Sequence, residues 1–311
     1  MSITEQDELE HPASDDWLWR ESLYFSFHDT SGRVGGMTTI GVRPNQDRVE
    51  GFSAIFLDAH QVLFYPMERR LEEGKAGLFS VPGIAYEMLA PLQKWRFEVS
   101  ADFSEIDPYQ FAQGVQPPKI TIPARFDLTF DALSPAYEFP PAFGLLAGAA
   151  QHYDQNGHIW GRVMVGGQTL AVDGFGFRDH SWGIRDLSKA GHIVALFAPF
   201  GPHLTVNVIW GLSEGQETAI GYIFRDGENI PIDGIQVAVE TDPLSSLPKA
   251  AQAEIRLVDG QRFSLEAQIA SIMPIILNQG EDQLHWYECL TRFWHGQERG
   301  YGITEITKLV R

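Results

Sequence analysis

One fourteen-residue segment, residues 173–186, concentrates the side chains best suited to proton chemistry. It reads Asp-Gly-Phe-Gly-Phe-Arg-Asp-His-Ser-Trp-Gly-Ile-Arg-Asp, with three acids, two arginines and one histidine in a stretch that otherwise has the character of a β-strand. Charged and protonatable groups are costly to order together unless they are paired or used. We therefore take this segment as the first candidate for a catalytic site.

The geometry of a regular strand divides these side chains between two faces. Arg178, His180 and Trp182 would share one face, and Asp179 would lie on the other. Glycines inside a strand mark either a bulge or the close approach of another group, and a bulge would change which face meets a pocket. Asp179 and His180 can share one cavity only if the chain bulges or turns within residues 174–183, so both remain candidates.

Both residue types suit acid/base catalysis. Burial beside aromatic side chains would favour the protonated form of Asp179, a general acid toward an alkene or a hydroxyl, whereas a nearby arginine would keep it ionised. A histidine such as His180 exchanges protons near neutral pH without special tuning. The alternative is a structural ion-pair network at a barrel mouth, formed by Arg178, Asp179, Arg185 and Asp186.

Two other segments offer ligand contacts. Near the start, a polar row that includes Tyr24 and His28 either points inward toward a ligand or forms a solvent face. Near the end, Glu288 is a possible second acid or base, or a surface residue. Aromatic neighbours there could stabilise a developing carbocation through cation–π attraction; they are Trp286, Tyr287 and Trp294.

Hydrophobic alternation and turn dipeptides predict the scaffold. Two-residue turns at Gly166-Gly167, Asp226-Gly227 and Asp259-Gly260 each separate two strand-like runs, which is typical of β-hairpins. Short, closely spaced strands favour antiparallel barrels or sandwiches over a parallel α/β sheet, and a barrel of about eight strands can enclose one small ligand. The fold class is therefore all-β, with few short helices.

The change in composition over residues 134–150, which are rich in Pro, Ala and Gly, suggests a domain boundary. We expect a flexible acidic arm over residues 1–16, an N-terminal β domain over 17–145 and a C-terminal β domain over 146–311 that carries the motif.

Composition narrows the functional classes. A formal net charge of -18 argues against binding to nucleic acid or to an anionic membrane. The start lacks the pattern of a signal peptide and no apolar stretch approaches the length of a membrane span, so we expect a cytoplasmic protein without membrane insertion. The single cysteine, Cys289, excludes an intramolecular disulfide, and no metal or cofactor motif is found. The sequence gives no indication of the oligomeric state.

The motif resembles that of a known family. The run Gly-Phe-Arg-Asp-His-Ser-Trp-Gly over residues 176–183 resembles the Asp-His-Asn-Trp-Gly signature of the hydroxyneurosporene synthase (carotenoid 1,2-hydratase) superfamily. It is more similar still to an uncharacterised bacterial branch with Arg-Asp-His-Ser-Trp-Gly. Further similarity to that branch covers residues 19–25, 43–45 and 300–305, together with the hairpin before the motif.

This resemblance implies two tandem lipocalin-like domains and cofactor-independent chemistry on hydrophobic, often terpenoid, molecules. Asp179 and His180 take the places of the family's acidic pair, and Trp182 that of its aromatic residue. Ser181 replaces the asparagine of the hydratases, a departure that puts a carotenoid substrate in doubt. Arg178 would orient the substrate or hold charge.

We therefore expect a lyase or isomerase, of hydratase, dehydratase or cyclase type, that acts on a terpenoid or aromatic molecule in a β-barrel pocket. The alternative is a non-catalytic carrier of an apolar small molecule.

Overall fold

The computed structural model is almost entirely β-structure. It describes residues 3–58, 60–71, 77–117, 119–140, 151–186, 191–213, 215–279 and 282–310. Among these residues, the helical segments are a short α-helix, α1 (Pro108–Ala112), and two 3₁₀ turns, Glu5–Glu8 and Pro44–Gln46. In the described residues, no helix has the length and apolar character needed to cross a membrane.

The first sheet contains eleven antiparallel strands. They are β1 (Trp19–Asp29), β2 (Val34–Arg43), β3 (Arg48–Leu57), β4 (Gln61–Arg69), β5 (Ser80–Val81), β6 (Ile84–Ala90), β7 (Lys94–Ile106), β8 (Thr121–Ala132), β9 (Tyr137–Glu138), β10 (Gln151–Val165) and β11 (Gln168–Ile184). Their order is β4-β3-β2-β1-β11-β10-β8-β7-β6-β5, β9 pairs with β10, and an additional β4–β7 pairing curls the sheet around an aromatic interior. This interior includes Phe25, Trp95, Phe97 and Phe126.

The second sheet is a closed barrel of consecutive strands. They are β12 (His192–Pro199), β13 (Leu204–Ser213), β14 (Gln216–Arg225), β15 (Glu228–Thr241), β16 (Pro248–Leu257), β17 (Arg262–Gln279), β18 (Asp282–His295) and β19 (Glu298–Val310). Aliphatic side chains and Phe263, Tyr287 and Phe293 fill its interior. The predicted all-β fold of two lipocalin-like antiparallel domains is confirmed.

All three predicted hairpins are present. At the first, Val165 pairs with Gln168, and Gly166 and Gly167 both have positive φ (56° and 89°), as a primed two-residue turn requires. The turn at Asp226-Gly227 joins β14 to β15, and the turn at Asp259-Gly260 joins β16 to β17. Local turn chemistry was therefore sufficient to locate these strand pairs.

The division between the domains differs from the prediction. β10 and β11 belong to the first sheet, so the motif lies there and not in the C-terminal domain. The chain passes from the first sheet to the barrel between β11 and β12. Of the segment predicted as the boundary, residues 141–150 lie outside the described residues, and Tyr137–Glu138 forms the strand β9. The prediction was misplaced because β11 pairs with β1, a contact between distant parts of the chain.

The two sheets pack against each other through their outer faces. A third apolar cluster, separate from the two interiors, joins Tyr24 and Phe177 of the first sheet to Phe197, Ile209 and Leu290 of the barrel. The rings of Phe177 and Phe197 are stacked with centroids 4.0 Å apart. Both faces of β1 are consequently buried, one in the interior of the first sheet and one between the sheets.

Candidate active site

The strand β11 keeps one register throughout. Its partners on β1 run from Trp19, opposite Ile184, to Asp29, opposite Gly174, without a shift. The pairing is interrupted beside Ser26, whose Oγ accepts a hydrogen bond from the backbone N–H of Phe177 at 3.3 Å. The bulge that would let Asp179 and His180 share one cavity is therefore absent from this strand.

The glycines of the motif instead allow the backbone of the neighbouring strand to approach closely. A Cβ atom on Gly174 would lie 2.0 Å from the carbonyl oxygen of His28, and one on Gly176 would lie 1.9 Å from that of Ser26. Because the register is constant, side chains alternate strictly along β11. Asp179 and His180 thus face opposite sides of the sheet.

Asp179 faces a cavity of about 560 Å³ between the two sheets. The cavity is not the interior of a barrel, which corrects the predicted location of the pocket. Most of its wall is apolar or aromatic and comes from both sheets, and it includes Phe52, Phe64, Ile193, Ala195, Phe197, Ile209, Ile275, Leu277, Leu284 and Trp286. Such a wall excludes water and suits a hydrophobic ligand.

Cross-strand rows of the first sheet supply one side of the cavity. Asp179 pairs with Tyr24 on β1, Tyr24 with Thr39 on β2, and Thr39 with Phe52 on β3, so these four side chains share the outer face. Directly opposite residues on one face lie about 5 Å apart. The next row contributes His152, Ser22 and Glu50.

Rows of the barrel supply the other side. Glu288 on β18 lies directly opposite Glu305 on β19, and Glu305 lies opposite Ala195 on β12. Trp286 belongs to the neighbouring row, opposite Thr307. Sheet packing brings these rows over Asp179, so three carboxyl groups from two sheets line one apolar space.

Burial, together with repulsion from a neighbouring carboxyl group for the two glutamates, holds the three carboxyl groups toward their protonated forms. Burial raises the pKa of Asp179 to about 7, although nearby arginines oppose the shift. Burial and the Asp179 charge raise the pKa of Glu305 to about 8. Burial and Glu305 raise the pKa of Glu288 well above its usual range. At neutral pH the site therefore holds protonated carboxyl groups beside an apolar wall.

Two neutral groups complete this part of the site. The hydroxyl of Tyr24 donates a hydrogen bond to Oε2 of Glu288 at 3.4 Å, and burial and Glu288 raise the pKa of this tyrosine. Burial and the charge of Arg185 lower the pKa of His152 to about 3, so its imidazole is uncharged at neutral pH. In this part of the site, the groups that can exchange protons near neutral pH are therefore the carboxyl groups.

Arginines occupy another part of the wall. Nε atoms of Arg20 and Arg43 lie 3.1 and 3.2 Å from one oxygen of Glu50. Burial opposes ionisation of Glu50, but Arg20, Arg43 and Arg48 together lower its pKa. The guanidinium of Arg185 donates to Ser181 Oγ at 3.2 Å. The cavity thus has one acidic region and one region with an excess of arginines.

The other face of the motif points into the first sheet, away from the cavity. His180 Nε2 lies 2.9 Å from Glu21 Oε1, and the imidazole has no exposed surface. Arg178 is equally buried, against the rings of Trp95 and Phe130. Trp182 stacks on His11 with centroids 3.9 Å apart. The structure therefore does not bring His180, Arg178 or Trp182 to the cavity, because strict alternation opposes them to Asp179.

The N-terminal segment, expected to be a flexible arm, fills this interior. The carboxylate of Glu8 has no exposed surface and pairs with the guanidinium of Arg178. It also accepts hydrogen bonds from Tyr153 Oη at 2.6 Å and Trp95 Nε1 at 2.9 Å. A buried guanidinium requires a counter-charge, and the acidic segment provides it. His11 bonds Glu21 through Nδ1 at 2.7 Å.

Of the remaining predicted ligand contacts, Tyr24, Trp286 and Glu288 line the cavity, and three others do not. His28 is buried beside a small separate space of about 10 Å³, and burial lowers its pKa to about 3. Tyr287 points into the barrel interior because it alternates with Trp286 and Glu288. Trp294 lies six residues beyond Glu288, about 20 Å along the strand.

Sequence reasoning missed several residues of the interface. Glu305 was noted only as part of the similar run over residues 300–305, and Arg185 only as part of an ion-pair network. Asp154 escaped notice. It is fully buried, accepts hydrogen bonds from Tyr222 Oη at 2.7 Å and Asn207 Nδ2 at 3.2 Å, and burial raises its pKa to about 8. Its position opposite Asp179 on β10 is visible only once the strands are paired.

One group of side chains in the described part of the chain could hold a metal ion. Ligand atoms of His11, Glu21 and His180 lie within 4.8 Å of one another. Both histidines hydrogen-bond the same Glu21 oxygen, which accounts for the grouping without a metal. This group is separated from the cavity by the sheet itself.

Solved structures with the same fold include two relevant proteins. A crystal structure of CghA with Sch210972 has a TM-score of 0.60 and 10% sequence identity, over 97% of this chain and 93% of that one. Kievitone hydratase from Nectria haematococca has a TM-score of 0.60 and 13% identity, over 93% of this chain and 88% of that one. At these identities the likeness establishes a shared two-domain fold.

Sequence comparison gives a family without a known activity. No curated protein shows significant similarity to the chain. A family model described as a domain of unknown function (DUF7064) matches residues 4–310, nearly the whole sequence. The chain therefore belongs to the DUF7064 family.

Proposed function

We propose that the protein is a cofactor-independent lyase or isomerase, of hydratase, dehydratase or cyclase type, acting on a terpenoid or aromatic small molecule. The observation that carries this proposal is the convergence of Asp179, Glu288 and Glu305 on one apolar cavity. An apolar carrier has no need for three buried carboxyl groups, whose desolvation is costly. Proton transfer gives them a use.

Asp179 is the proposed general acid. With a pKa of about 7 it exchanges its proton readily at neutral pH, which is the requirement for efficient acid/base catalysis. Its proton would pass to an alkene carbon, or to a hydroxyl that leaves as water. The resulting cationic centre would lie beside aromatic walls that include Trp286.

The pair Glu288 and Glu305 completes the proton balance. Both are protonated at neutral pH, so the base of the reaction is the negative charge that Asp179 leaves behind when it gives up its proton, which the neighbouring carboxyl groups share. In hydration, the ionised member would accept a proton from the water that attacks the cation. In dehydration or isomerisation, it would remove a proton from the neighbouring carbon. Tyr24, hydrogen-bonded to Glu288, would orient this pair.

The resemblance of the motif to carotenoid hydratases and the name of kievitone hydratase support this class of reaction. The carboxyl groups arise from different strands, and Asp179 is the member that the motif supplies. His180 is assigned no contact with substrate, because it lies on the other side of the sheet.

A substrate panel tests the proposal. The purified protein is incubated with terpenoid alkenes, terpenoid alcohols and prenylated phenols, and products are followed by liquid chromatography and mass spectrometry. Gain or loss of one water, or a shifted retention time at constant mass, is expected. Asp179→Asn should lower turnover by about 10²–10⁴-fold, whereas Asp173→Asn, an exposed carboxylate of the same strand, should not.

The panel also separates the proposal from a carrier function. If the protein binds panel molecules and converts none, it is a carrier. If Asp179→Asn folds and retains wild-type turnover, the assigned acid is wrong.

A further inference from the structure

Arg185 offers hydrogen-bonding capacity that the protein does not use. It lies just after β11 and lines the cavity. Its guanidinium donates to Ser181 Oγ at 3.2 Å, but its Nε is buried without a hydrogen-bond partner. Within the described residues, it forms no ion pair with a carboxylate. A buried guanidinium donor without a partner is costly, so the site is built for an acceptor from outside the protein.

The surroundings of Arg185 favour a negatively charged acceptor. Arg20 and Arg43 line the same cavity, and the two share the carboxylate of Glu50. Burial and the repulsion of Arg20 lower the pKa of Arg185 to about 10, which still leaves it protonated at neutral pH. The cavity carboxyl groups do not compensate this charge fully, since their pKa values are raised. An excess of positive charge remains.

The separation between the Arg185 guanidinium and Asp179 predicts the distance between two groups of the ligand. The side chain of Arg185 folds back along the strand to Ser181, two residues from Asp179. Two residues along a strand span about 7 Å. A molecule that contacts both groups would hold its acceptor about this far from the atom that exchanges a proton.

We propose that Arg185 anchors a carboxylate, or a similarly acidic group, at one end of an otherwise apolar substrate. The site would then select amphipathic acids over neutral terpenoids or phenols of the same size. A planar guanidinium binds a carboxylate through paired hydrogen bonds, and Nε is one of the atoms used in that geometry. Calling the bound molecule a substrate rests on the proposed function, whereas the anion site does not.

Two fluorescent probes of nearly the same shape test the anion site. The sulfonate probe 1-anilinonaphthalene-8-sulfonate and its neutral analogue N-phenyl-1-naphthylamine differ in one anionic group. Wild-type protein should bind the sulfonate about tenfold more tightly or better, as expected for a charge-assisted hydrogen bond. Arg185→Gln should remove this preference and leave the affinity for the neutral probe unchanged. Arg185→Lys should keep part of it.

Two further variants serve as controls. Arg256→Gln removes an exposed arginine of the barrel and should change neither affinity. Ile193→Trp narrows the cavity and should weaken the binding of both probes. This loss of affinity would show that the probes bind in the cavity. Sodium dodecanoate should displace the sulfonate probe from wild-type protein more effectively than 1-dodecanol does.

Absence of a sulfonate preference in wild-type protein, including absence of binding, overturns the proposal. So does an Arg185→Gln variant that is folded by circular dichroism and keeps the preference. Because probe binding requires no turnover, a protein that converts no substrate but prefers the sulfonate refutes the proposed function alone. A protein that turns over neutral substrates without any sulfonate preference refutes the anion site alone.

Discussion

Asp179 and His180 are neighbours in the chain, yet their side chains lie on opposite sides of one sheet. The Asp179 carboxyl lines the cavity between the sheets, while the His180 imidazole bonds Glu21 at 2.9 Å inside the first sheet. One short motif thus serves two purposes. Asp179 belongs to the candidate site, whereas Arg178, His180 and Trp182 contact the N-terminal segment.

The dependence of turnover on pH should reveal acid catalysis. The pKa of Asp179 is about 7 and that of Glu305 about 8, so their acidic forms disappear as pH rises through this range. We expect kcat/KM to be highest below about pH 7 and to fall above it. Measuring kcat/KM across this range on a substrate found by the panel provides the test. Activity that increases as pH rises above about 8 would contradict the assignment of Asp179 as acid.

Removal of the charge on Glu8 should destabilise the fold. Glu8→Gln would leave the guanidinium of Arg178 buried without a counter-charge, at a cost of about 3–5 kcal/mol. Glu5→Gln, on the same 3₁₀ turn but exposed, should cost less than about 1 kcal/mol. Urea unfolding of both variants gives the comparison. Equal stability of the two would mean that the Glu8–Arg178 pair is not formed as described.

His180→Ala should affect stability more than catalysis. The variant loses the hydrogen bond to Glu21 and the ring contacts with His11 and Trp182. We expect the free energy of unfolding to fall by about 1–3 kcal/mol, while kcat/KM changes only a few-fold at a temperature where the variant is folded. A folded variant as inactive as Asp179→Asn would place His180 in the catalytic machinery.

Asp154 should make stability depend on pH. Burial raises its pKa from the ordinary aspartate value of 3.8 to about 8, so between these values the folded protein keeps a proton that the unfolded chain releases. The free energy of unfolding should therefore fall as pH rises from about 4 to about 8. Asp154→Asn removes the share of this dependence that Asp154 contributes and keeps an acceptor for Tyr222.

Urea unfolding at about pH 5 and about pH 8 tests the expectation. The advantage of Asp154→Asn over wild-type protein should grow with pH, and the exposed Asp102→Asn should show no such trend. Parallel pH curves for wild type and Asp154→Asn would contradict the raised pKa.

The parts of the fold that depend on neighbouring residues could be predicted from the sequence. Turn residues such as Gly166-Gly167 fix a hairpin locally, and all three predicted hairpins are present. The pairing of β1 with β11 joins residues far apart in the chain, and the alternation of hydrophobic residues within one strand cannot reveal such a pairing. This pairing places the motif in the first sheet, whereas the prediction put it in the C-terminal domain.

The site shows the same limit. The alternation rule correctly opposed Asp179 to His180, but only the paired sheets show which face meets the cavity. The sequence predicted that the polar row of β1 forms either a ligand face or a solvent face. Because both faces of β1 are buried, the structure excludes a solvent face. Tyr24 lines the cavity, whereas His28 lies beside a separate small space. Glu305 joins Asp179 only through packing between the sheets.

The central place of β1 in the first sheet determines when that sheet can be completed during synthesis. His28 pairs with Phe175, which is 147 residues later in the chain. The ribosome must therefore add these 147 residues before β1 gains its second neighbour. Until then a strand with two apolar faces keeps an open edge, which favours association with other chains. Nascent or truncated chains that end before β11 are the forms most dependent on chaperones.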